Sequence, residues 1–319
     1  MSPINLHCQT PLKKVDVLSQ YLPGRDVYLK MESSQVTGSF KMRGIGCRAR
    51  KAVENGCTHL LSCSGGNAGL ATAEAARLLS VPCTAVVPQT TTQRMISRIQ
   101  EKGATVICHG DNFNTAQRKA FELVNEIEGS VYVSPYDHPD IWEGCTTVVR
   151  ELSSEMPERP AVIVASVGGG GLLTGILDGL KEVGWQDVPV LAMETYGAHC
   201  FNLSMKASQI VAMEKITSIA TSLGARTVTE GLMERVPHFK VISEVVEDKA
   251  AVQSCLKFAE LENVVVEPAC GATLAALYSG ILSRLDSEHR LPPGPAVLIV
   301  CGGTGVTLDQ LQTWATQLQ

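Results

Sequence analysis

A regular alternation of short β-rich runs and helical runs between residues 59 and 133 most constrains how this chain can fold. Three strand-like runs, His59 to Cys63, Cys83 to Val87 and Ala104 to Cys108, are separated by helical runs, and a fourth strand-like run follows at Val131 to Val133. The first of the helical runs is rich in alanine and extends from Asn67 to Leu79. Such alternation is typical of a parallel sheet that is covered by helices on both faces.

The rhythm breaks near Pro135, and a second strand–helix series then fills the rest of the chain. Its strands are predicted at Ala161 to Val167, Val190 to Glu194, Phe239 to Ser243 and Val297 to Cys301, with helices between them and one long helix from Glu267 to Leu285. The segment 195–229 has no clear pattern. We predict an α/β protein with two open, mostly parallel twisted sheets covered by helices in three layers. The large domain comprises residues 1–32 and 136–319, and the small domain comprises residues 33–135.

Composition excludes several classes of function. The formal net charge is −5, which argues against a nucleic-acid-binding surface. No apolar run reaches the roughly 18 residues of a membrane span, and the N-terminus has no export signal, so we expect a cytoplasmic protein. The 11 cysteines include no CxxC pair and predict reduced thiols, and the dispersed histidines predict no zinc site.

Three glycine-rich turns each follow a predicted strand and precede a predicted helix. They are Ser64 to Gly69, Gly168 to Gly171, and Cys301 to Gly305. A turn of this kind gathers backbone N–H groups at the carboxyl edge of a sheet, where a phosphate or carboxylate can bind. Four consecutive glycines are also compatible with a flexible linker, but the apolar runs beside Gly168 to Gly171 favour a fixed loop. No turn matches a nucleotide-binding fingerprint.

Lys41 is the candidate nucleophile. It follows the turn residues Thr37 to Ser39 and opens a helical run that is predicted to reach about Asn55. The unpaired N–H groups at a helix start disfavour the ammonium form of a lysine there. A neutral lysine amine can form a Schiff base with a carbonyl. A solvated lysine at a helix start is the ordinary alternative.

An imine-forming lysine, a nest for phosphate and a nest for carboxylate are together what pyridoxal phosphate chemistry on an amino acid requires. The chain resembles the fold-type II, tryptophan-synthase-β-like pyridoxal phosphate enzymes, and within them the L-serine dehydratase/L-threonine deaminase group. The resemblance extends over nearly the whole chain. It rests on Ser39 to Gly44, Ser64 to Gly69, Tyr136 to Pro139, Gly168 to Gly171, Met193 to Thr195, Gly197 to Phe201, Val265 to Gly271, and Cys301 to Gly303.

The resemblance implies a cofactor site in the cleft between a large and a smaller domain. Lys41 would hold pyridoxal 5'-phosphate as a Schiff base and later remove the substrate Cα proton. Phe40 would lie against one face of the pyridine ring. The phosphate would be bound by the N–H groups of Gly168, Gly169, Gly170 and Gly171. Cys301 would face the pyridine nitrogen as a weak hydrogen-bonding group, which favours elimination over transamination. An inert core cysteine is the alternative at that position.

The loop after the first strand of the alternating series is implied to grip the substrate carboxylate. Its residues are Ser64, Gly65, Asn67 and Ala68, of which Ser64 also counts among the catalytic residues. Asn67 would in addition reach the phenolic oxygen of the cofactor, which is compatible with a helix-capping role. Serine racemases carry a serine at the position of Gly65 to deliver a proton to the second face of Cα, and some dehydratases carry alanine. Glycine there disfavours a racemase.

The resemblance also implies a monovalent cation such as K+. Glu194 would bind it together with backbone carbonyls of Gly168, Ala198, Leu223 and Ala225. A surface carboxylate at a strand end is the ordinary alternative for Glu194.

The predicted function is a pyridoxal phosphate-dependent L-serine/L-threonine ammonia-lyase. We expect it to convert serine to pyruvate and threonine to 2-oxobutyrate with release of ammonia, as a homodimer that binds neither nucleic acid nor membrane. Alternatives within the same fold are a β-replacement enzyme of the cysteine or cystathionine synthase type and a serine racemase. A regulatory binding protein of low activity that keeps the fold and the cofactor is the non-enzyme alternative, and a nucleotide-binding oxidoreductase is a more distant one.

Overall fold

The computed structural model describes residues 5–318, and over that range the chain forms ten β-strands and twelve α-helices. The strands are β1 (Leu12–Lys14), β2 (Val27–Lys30), β3 (His59–Ser62), β4 (Cys83–Val87), β5 (Thr105–Cys108), β6 (Ser130–Tyr132), β7 (Val162–Ser166), β8 (Val190–Thr195), β9 (Val241–Val246) and β10 (Ala296–Ile299). The helices are α1 (Lys41–Glu54), α2 (Asn67–Leu79), α3 (Gln93–Glu101), α4 (Phe113–Glu126), α5 (Pro139–Glu155), α6 (Gly171–Glu182), α7 (Cys200–Ala207), α8 (Glu230–Arg235), α9 (Asp248–Glu262), α10 (Pro268–Tyr278), α11 (Ile281–Ser287) and α12 (Leu308–Gln317).

The chain divides into two compact units. Unit 1 consists of Gln35–Cys145 with the N-terminal residues up to Cys8, and unit 2 consists of Gln9–Ser34 and Thr146–Gln319. The sheet of unit 1 has four parallel strands in the order β5-β4-β3-β6. Strand β3 is one of the two inner strands of this sheet, and the loop that carries Ser64 leaves its carboxyl end.

Small side chains hold α2 close to the rest of unit 1. Every residue from Ala68 to Ala76 is buried, and the helix packs against α1, β3 and β4. Alanine adds little bulk between packed backbones, so α2 lies close to the sheet along most of its length. The start of α2, which follows the glycine-rich loop, is therefore fixed by core packing.

The sheet of unit 2 has six strands in the order β1-β2-β10-β7-β8-β9, all parallel except for β1. Strands β7, β8 and β10 are buried over their full lengths, as expected for a parallel sheet with helices on both faces. Helix α10 is buried from Pro268 to Leu277. It approaches α9 so closely that a Cβ atom on Gly271 would lie 2.2 Å from the carbonyl oxygen of Ala251.

The predicted fold class is confirmed, with differences in detail. Helix α2 has the predicted bounds, and β4 does too. The single long helix predicted from Glu267 to Leu285 is wrong, because Gly280 adopts φ +74° and separates α10 from α11. Strand β1 was not predicted, and α7 lies in the segment where the sequence had no clear pattern.

Within residues 5–318, no helix combines the length and the apolar character that a membrane crossing would require.

Candidate active site

Lys41 is the first residue of α1, at the helix end where the backbone N–H groups lack intrahelical acceptors. Its Nζ atom donates a hydrogen bond to the carbonyl oxygen of Pro135 at 2.6 Å. The same atom lies 5.0 Å from the centre of the Phe40 ring, a cation–π distance. The amine is thus held between a carbonyl dipole and an aromatic face, and both groups belong to unit 1.

The orientation of α1 is set by a glycine contact with the start of α5. A Cβ atom on Gly44 would lie 2.6 Å from Ile141 Cγ2, and one on Gly144 would lie 2.3 Å from the carbonyl oxygen of Arg43. Atoms never approach so closely without displacement, so both positions require glycine. This contact fixes the helix that carries Lys41.

The loop Ser64 to Gly69 joins β3 to the N-terminus of α2. The Oγ atom of Ser64 accepts a hydrogen bond from the N–H of Gly66 at 3.2 Å. A Cβ atom on Gly69 would lie only 1.8 Å from the carbonyl oxygen of Ser64, so the helix starts directly against the loop. Asn67 and Ala68 are the first two residues of α2, at the helix end where the helix dipole favours an anion such as a carboxylate.

The glycine turn Gly168 to Gly171 occupies the corresponding place in unit 2, between β7 and α6. Gly170 adopts φ +100°, and a Cβ atom there would lie 2.6 Å from Leu232 Cδ2. The carbonyl oxygen of Gly169 accepts a hydrogen bond from the N–H of Thr229 at 3.1 Å. The turn is therefore a fixed loop and not a flexible linker, and it presents the N-terminus of a twelve-residue helix.

Glu194 lies at the end of β8 and is completely buried, so it is not a surface carboxylate. Its two oxygens accept hydrogen bonds from the N–H groups of Phe201 at 2.9 Å and Asn202 at 2.7 Å, in the first turn of α7. Burial raises the pKa of Glu194 to about 8, although these two N–H groups act in the opposite direction. A buried carboxylate with a raised pKa gains stability when a cation takes the place of its proton.

The other predicted cation ligands lie in the same unit as Glu194. Ala198 is paired with Thr195 across a tight turn that follows β8. A Cβ atom on Gly168 would lie 3.2 Å from Leu223 Cα, so the glycine turn packs on the backbone of the segment that holds Leu223. The N–H of Ala225 donates to the carbonyl oxygen of Leu223 at 2.7 Å. The structure thus places Gly168 beside Leu223, and Ala225 two residues further along.

Cys301 is buried just beyond β10. Its Sγ atom lies 3.5 Å from Ser166 Oγ, and it also interacts with the thiol of Cys270. Burial raises the pKa of Cys270, whereas the hydrogen bond from Cys270 lowers that of Cys301. Cys270 is therefore the thiol of the pair that holds its proton more firmly. A thiol is a weak hydrogen-bonding group.

Glu267 connects several of these segments in unit 2, although the sequence identified it only as part of a matching motif. Its carboxylate accepts hydrogen bonds from the hydroxyl of Ser222, next to Leu223, and from the N–H of Gly305 at 2.7 Å. Gly303 adopts φ +111°, and a Cβ atom there would overlap the Glu267 carboxyl group. Glu267 thereby holds the turn after Cys301 and the segment around Leu223 in fixed positions. Its partners are 45 and 38 residues away in sequence, so no local pattern reveals them.

The donor groups of each unit suit a part of pyridoxal phosphate. In unit 1, the Lys41 amine can bond to the aldehyde, and the side-chain amide of Asn67 can form a hydrogen bond with the phenolic oxygen. In unit 2, Gly168 to Gly171 form a cradle that side chains would fill, with a helix N-terminus suited to a phosphate. Cys301 offers a small polar group beside Ser166 and Cys270. The residues present fit this cofactor.

Comparison with known proteins gives the same assignment. The family model described as "Pyridoxal-phosphate dependent enzyme" matches residues 5–302 of the chain. The protein "L-serine dehydratase/L-threonine deaminase" of Mus musculus is 48% identical over 316 residues, which cover 98% of this chain and 96% of that protein.

Solved structures agree over a similar extent. A fungal L-serine ammonia-lyase from Rhizomucor miehei superposes with a TM-score of 0.92 at 36% identity, covering 98% of this chain and 99% of that one. Maize serine racemase superposes with a TM-score of 0.87 at 26% identity, covering 98% of this chain and 93% of that one. By the extent of these matches, the chain belongs to the family of pyridoxal-phosphate dependent enzymes.

Proposed function

We propose that the chain is a pyridoxal phosphate-dependent L-serine/L-threonine ammonia-lyase that forms pyruvate or 2-oxobutyrate and ammonia. The observation that carries this proposal is the Lys41 amine at the start of α1, hydrogen-bonded to the Pro135 carbonyl at 2.6 Å. A relative that matches nearly the whole chain, an L-serine dehydratase/L-threonine deaminase at 48% identity, supports the substrate class.

Unit 1 supplies the reacting groups in this proposal. Lys41 holds the cofactor covalently and removes the proton from the substrate Cα atom. The hydrogen bond to the Pro135 carbonyl positions its amine. Phe40 lies against the cofactor ring. Ser64, Gly65, Asn67 and Ala68 bind the substrate carboxylate through the N–H groups of the loop and of α2.

Unit 2 supplies the anchoring groups. Gly168, Gly169, Gly170 and Gly171 bind the phosphate through backbone N–H groups, and Cys301 faces the ring nitrogen. A monovalent cation such as K+ is bound by Glu194 and by the carbonyl oxygens of Gly168, Ala198, Leu223 and Ala225. The complete burial of the Glu194 carboxyl group supports a structural cation there.

When bound, pyridoxal phosphate supplies an aldehyde for the substrate amine and a ring that accepts the electron pair left at Cα. Lys41 would take the Cα proton, and the β-hydroxyl group would leave the neighbouring carbon as water, with a proton from the cofactor phosphate. The released enamine would then hydrolyse to the 2-oxo acid and ammonia. The Cys301 thiol would be too weak a hydrogen-bonding partner to keep the ring nitrogen protonated, which would favour loss of the hydroxyl over transamination. The carboxylate loop holds the substrate so that the Cα–H bond points to Lys41.

Further features of the proposal come from the family resemblance. The division into a large domain (1–32 and 136–319) and a small domain (33–135), the homodimer and the cytoplasmic location remain predictions. The substrate is a free amino acid.

The test is to incubate the purified holoenzyme with L-serine and with L-threonine and to quantify the 2-oxo acid as a hydrazone. We expect product from both amino acids and none from protein freed of cofactor. Borohydride reduction followed by peptide mapping should locate the cofactor on Lys41. Absence of 2-oxo acid from fully loaded protein would reject the proposal.

The same incubations separate the alternatives. A β-replacement enzyme would form a thioether from serine and homocysteine, and a racemase would form D-serine. Gly65 offers no side chain to deliver a proton to the second face of Cα, which favours elimination over racemisation.

A further inference from the structure

The missing side chain at Gly65 leaves a space that another residue fills. A Cβ atom built on Gly65 would lie 2.4 Å from Thr91 Oγ1, 2.5 Å from Thr91 Cγ2 and 3.0 Å from Thr91 Cβ. Observed Cβ atoms are practically never within 3.0 Å of another heavy atom. All three contacts come from one threonine, so Thr91 occupies the direction in which a side chain at position 65 would extend.

Thr91 is held in place from both sides in sequence. It lies in the turn between β4 and α3, where its N–H donates to the carbonyl oxygen of Pro88 at 3.0 Å. The next residue, Thr92, caps α3, because its Oγ1 atom accepts a hydrogen bond from the N–H of Met95 at 3.4 Å. The backbone at Thr91 is therefore tied to the end of one strand and to the start of the following helix.

Rotation of the Thr91 side chain cannot clear the space. A threonine has heavy atoms at two of the three staggered positions on its Cβ atom, and both of them contact the direction of Gly65. Turning χ1 by 120° leaves at least one of these positions filled. A side chain at position 65 and the side chain of Thr91 thus compete for the same volume.

We propose that Thr91 is a specificity-determining residue, whose side chain forms the wall of the substrate-carboxylate loop that residue 65 cannot provide. This inference rests on the proposed function, in which the loop at Gly65 binds the substrate carboxylate. The uncharged side chain of Thr91 fills the space on this side of the loop. It thereby restricts the positions that the substrate carboxylate can occupy, so it affects KM for the amino acid more than it affects kcat.

The geometry has a consequence for the alanine found at this position in some dehydratases. In this chain, Gly65→Ala brings a methyl group against Thr91. Either the loop that precedes α2 or the turn that precedes α3 must therefore move. The substitution is therefore harmful here unless Thr91 is shortened at the same time.

A double-mutant cycle in the holoenzyme tests the inference. Gly65→Ala alone should raise KM for L-serine about 10-fold, with kcat changed by less than about 3-fold, because the carboxylate loop is displaced. Adding Thr91→Ala should return KM to within about 3-fold of the Thr91→Ala single variant. Thermal unfolding of the four proteins should follow the same pattern, with a lowered Tm for Gly65→Ala that Thr91→Ala restores.

Two further variants serve as controls. Thr91→Val keeps the shape and removes the hydroxyl, so it should give no relief to Gly65→Ala. Thr90→Ala truncates the exposed neighbouring threonine and should also give no relief.

The cycle is informative whatever the activity of the protein. If the wild type forms no 2-oxo acid, the proposed function fails, while the Tm values still decide whether residues 65 and 91 compete for space. The role of Thr91 would be overturned if Gly65→Ala left KM and Tm unchanged. It would also be overturned if Thr91→Ala did not correct the KM and Tm of Gly65→Ala. Relief of the Gly65→Ala defect by Thr91→Val would show that the hydroxyl, and not the shape of the side chain, is what matters, and would also overturn it.

Discussion

The two glycine-rich loops stand at equivalent places in their sheets but are confined by different neighbours. In unit 1, the space beside Gly65 is filled by the side chain of Thr91. In unit 2, the space beside Gly168 is bounded by backbone atoms of Leu223 and Ser222, and Gly170 has a backbone conformation that favours glycine. Both loops follow a strand and open a helix.

The difference indicates how freely each loop can vary. A neighbouring side chain can be exchanged by one substitution, so the loop at Gly65 can be adapted to a different substrate. A neighbouring backbone cannot be exchanged without moving a whole segment, so the loop at Gly168 is fixed. This difference supports the proposed roles of the two units. In that proposal, unit 1 binds the substrate and carries the reacting groups, while unit 2 binds a constant group such as a phosphate.

The largest effect should come from Lys41→Ala, which tests whether unit 1 carries the reacting group. We expect kcat to fall by at least about 1,000-fold, because both the covalent attachment and the proton acceptor are lost. The measurement is 2-oxo acid formation together with the visible absorption spectrum of the cofactor. Thermal unfolding should show that the variant still folds.

Lys51→Ala is the matched control for this variant. Lys51 lies on the same helix and forms ion pairs with Asp140 and Glu143. Its loss should leave the spectrum and kcat unchanged. If Lys41→Ala retained the wild-type spectrum and turnover, the assignment of the reaction to unit 1 would be wrong.

A smaller effect is expected from Gly170→Ala in the anchoring loop. The alanine would be strained at φ +100° and would press on Leu232 Cδ2, so the N–H groups of the turn would be displaced. We expect the affinity for pyridoxal phosphate to fall about 5-fold to 30-fold, since about 1–2 kcal/mol of strain is added. The rate at saturating cofactor should change much less. Titration of the cofactor-free protein, followed by absorption, measures this affinity.

Gly184→Ala separates local strain from damage to the loop. Gly184 also has a positive φ, +74°, but a Cβ atom there would meet nothing within 4 Å. It follows α6 instead of preceding it. An equal loss of cofactor affinity in both variants would contradict an anchoring role that is specific to the Gly170 turn.

The sequence was sufficient for the features that depend on local pattern. Strand–helix alternation predicted the parallel sheets, and the alanine-rich run predicted α2 with its observed bounds. Lys41 and the glycine turns could be identified because each combines a turn signal with a strand or helix beside it. The missed helix break has a local cause too, since Gly280 was read as a helix residue in an apolar run.

Contacts between distant residues could not be predicted in the same way. Thr91 is 26 residues from Gly65, and its importance depends on how two neighbouring strands place their following turns side by side. Ser222 and Glu267 are 45 residues apart, and their hydrogen bond depends on the arrangement of unit 2. Such pairs have no periodic signal, because the spacing is set by the fold and not by the period of a helix or strand.

The smallest effect concerns the acid stability of α2, the helix that fixes the position of the carboxylate loop. Glu74 has a buried side chain that forms ion pairs with Arg77 at 2.8 Å and with Lys102 at 3.2 Å. The hydrogen bond from Arg77 lowers the pKa of Glu74 below its usual value of 4.5, although burial acts against this. The stabilisation is therefore present above about pH 4.5 and is lost as the pH falls through the lower pKa of the folded state.

Glu74→Gln should lower the free energy of unfolding by about 1 kcal/mol at pH 7, a modest value because Arg77 is largely exposed. The difference from wild type should begin to shrink below about pH 4.5, because the carboxylate takes up its proton first in the unfolded state, and it should vanish only once the folded state is protonated too. Urea denaturation at pH 7 and pH 3.5 measures both values. Glu54→Gln, which removes an exposed pair with Arg50, is the control and should stay within about 0.5 kcal/mol of wild type. A deficit that is as large at pH 3.5 as at pH 7 would mean that Glu74 acts through its packing and not through its charge.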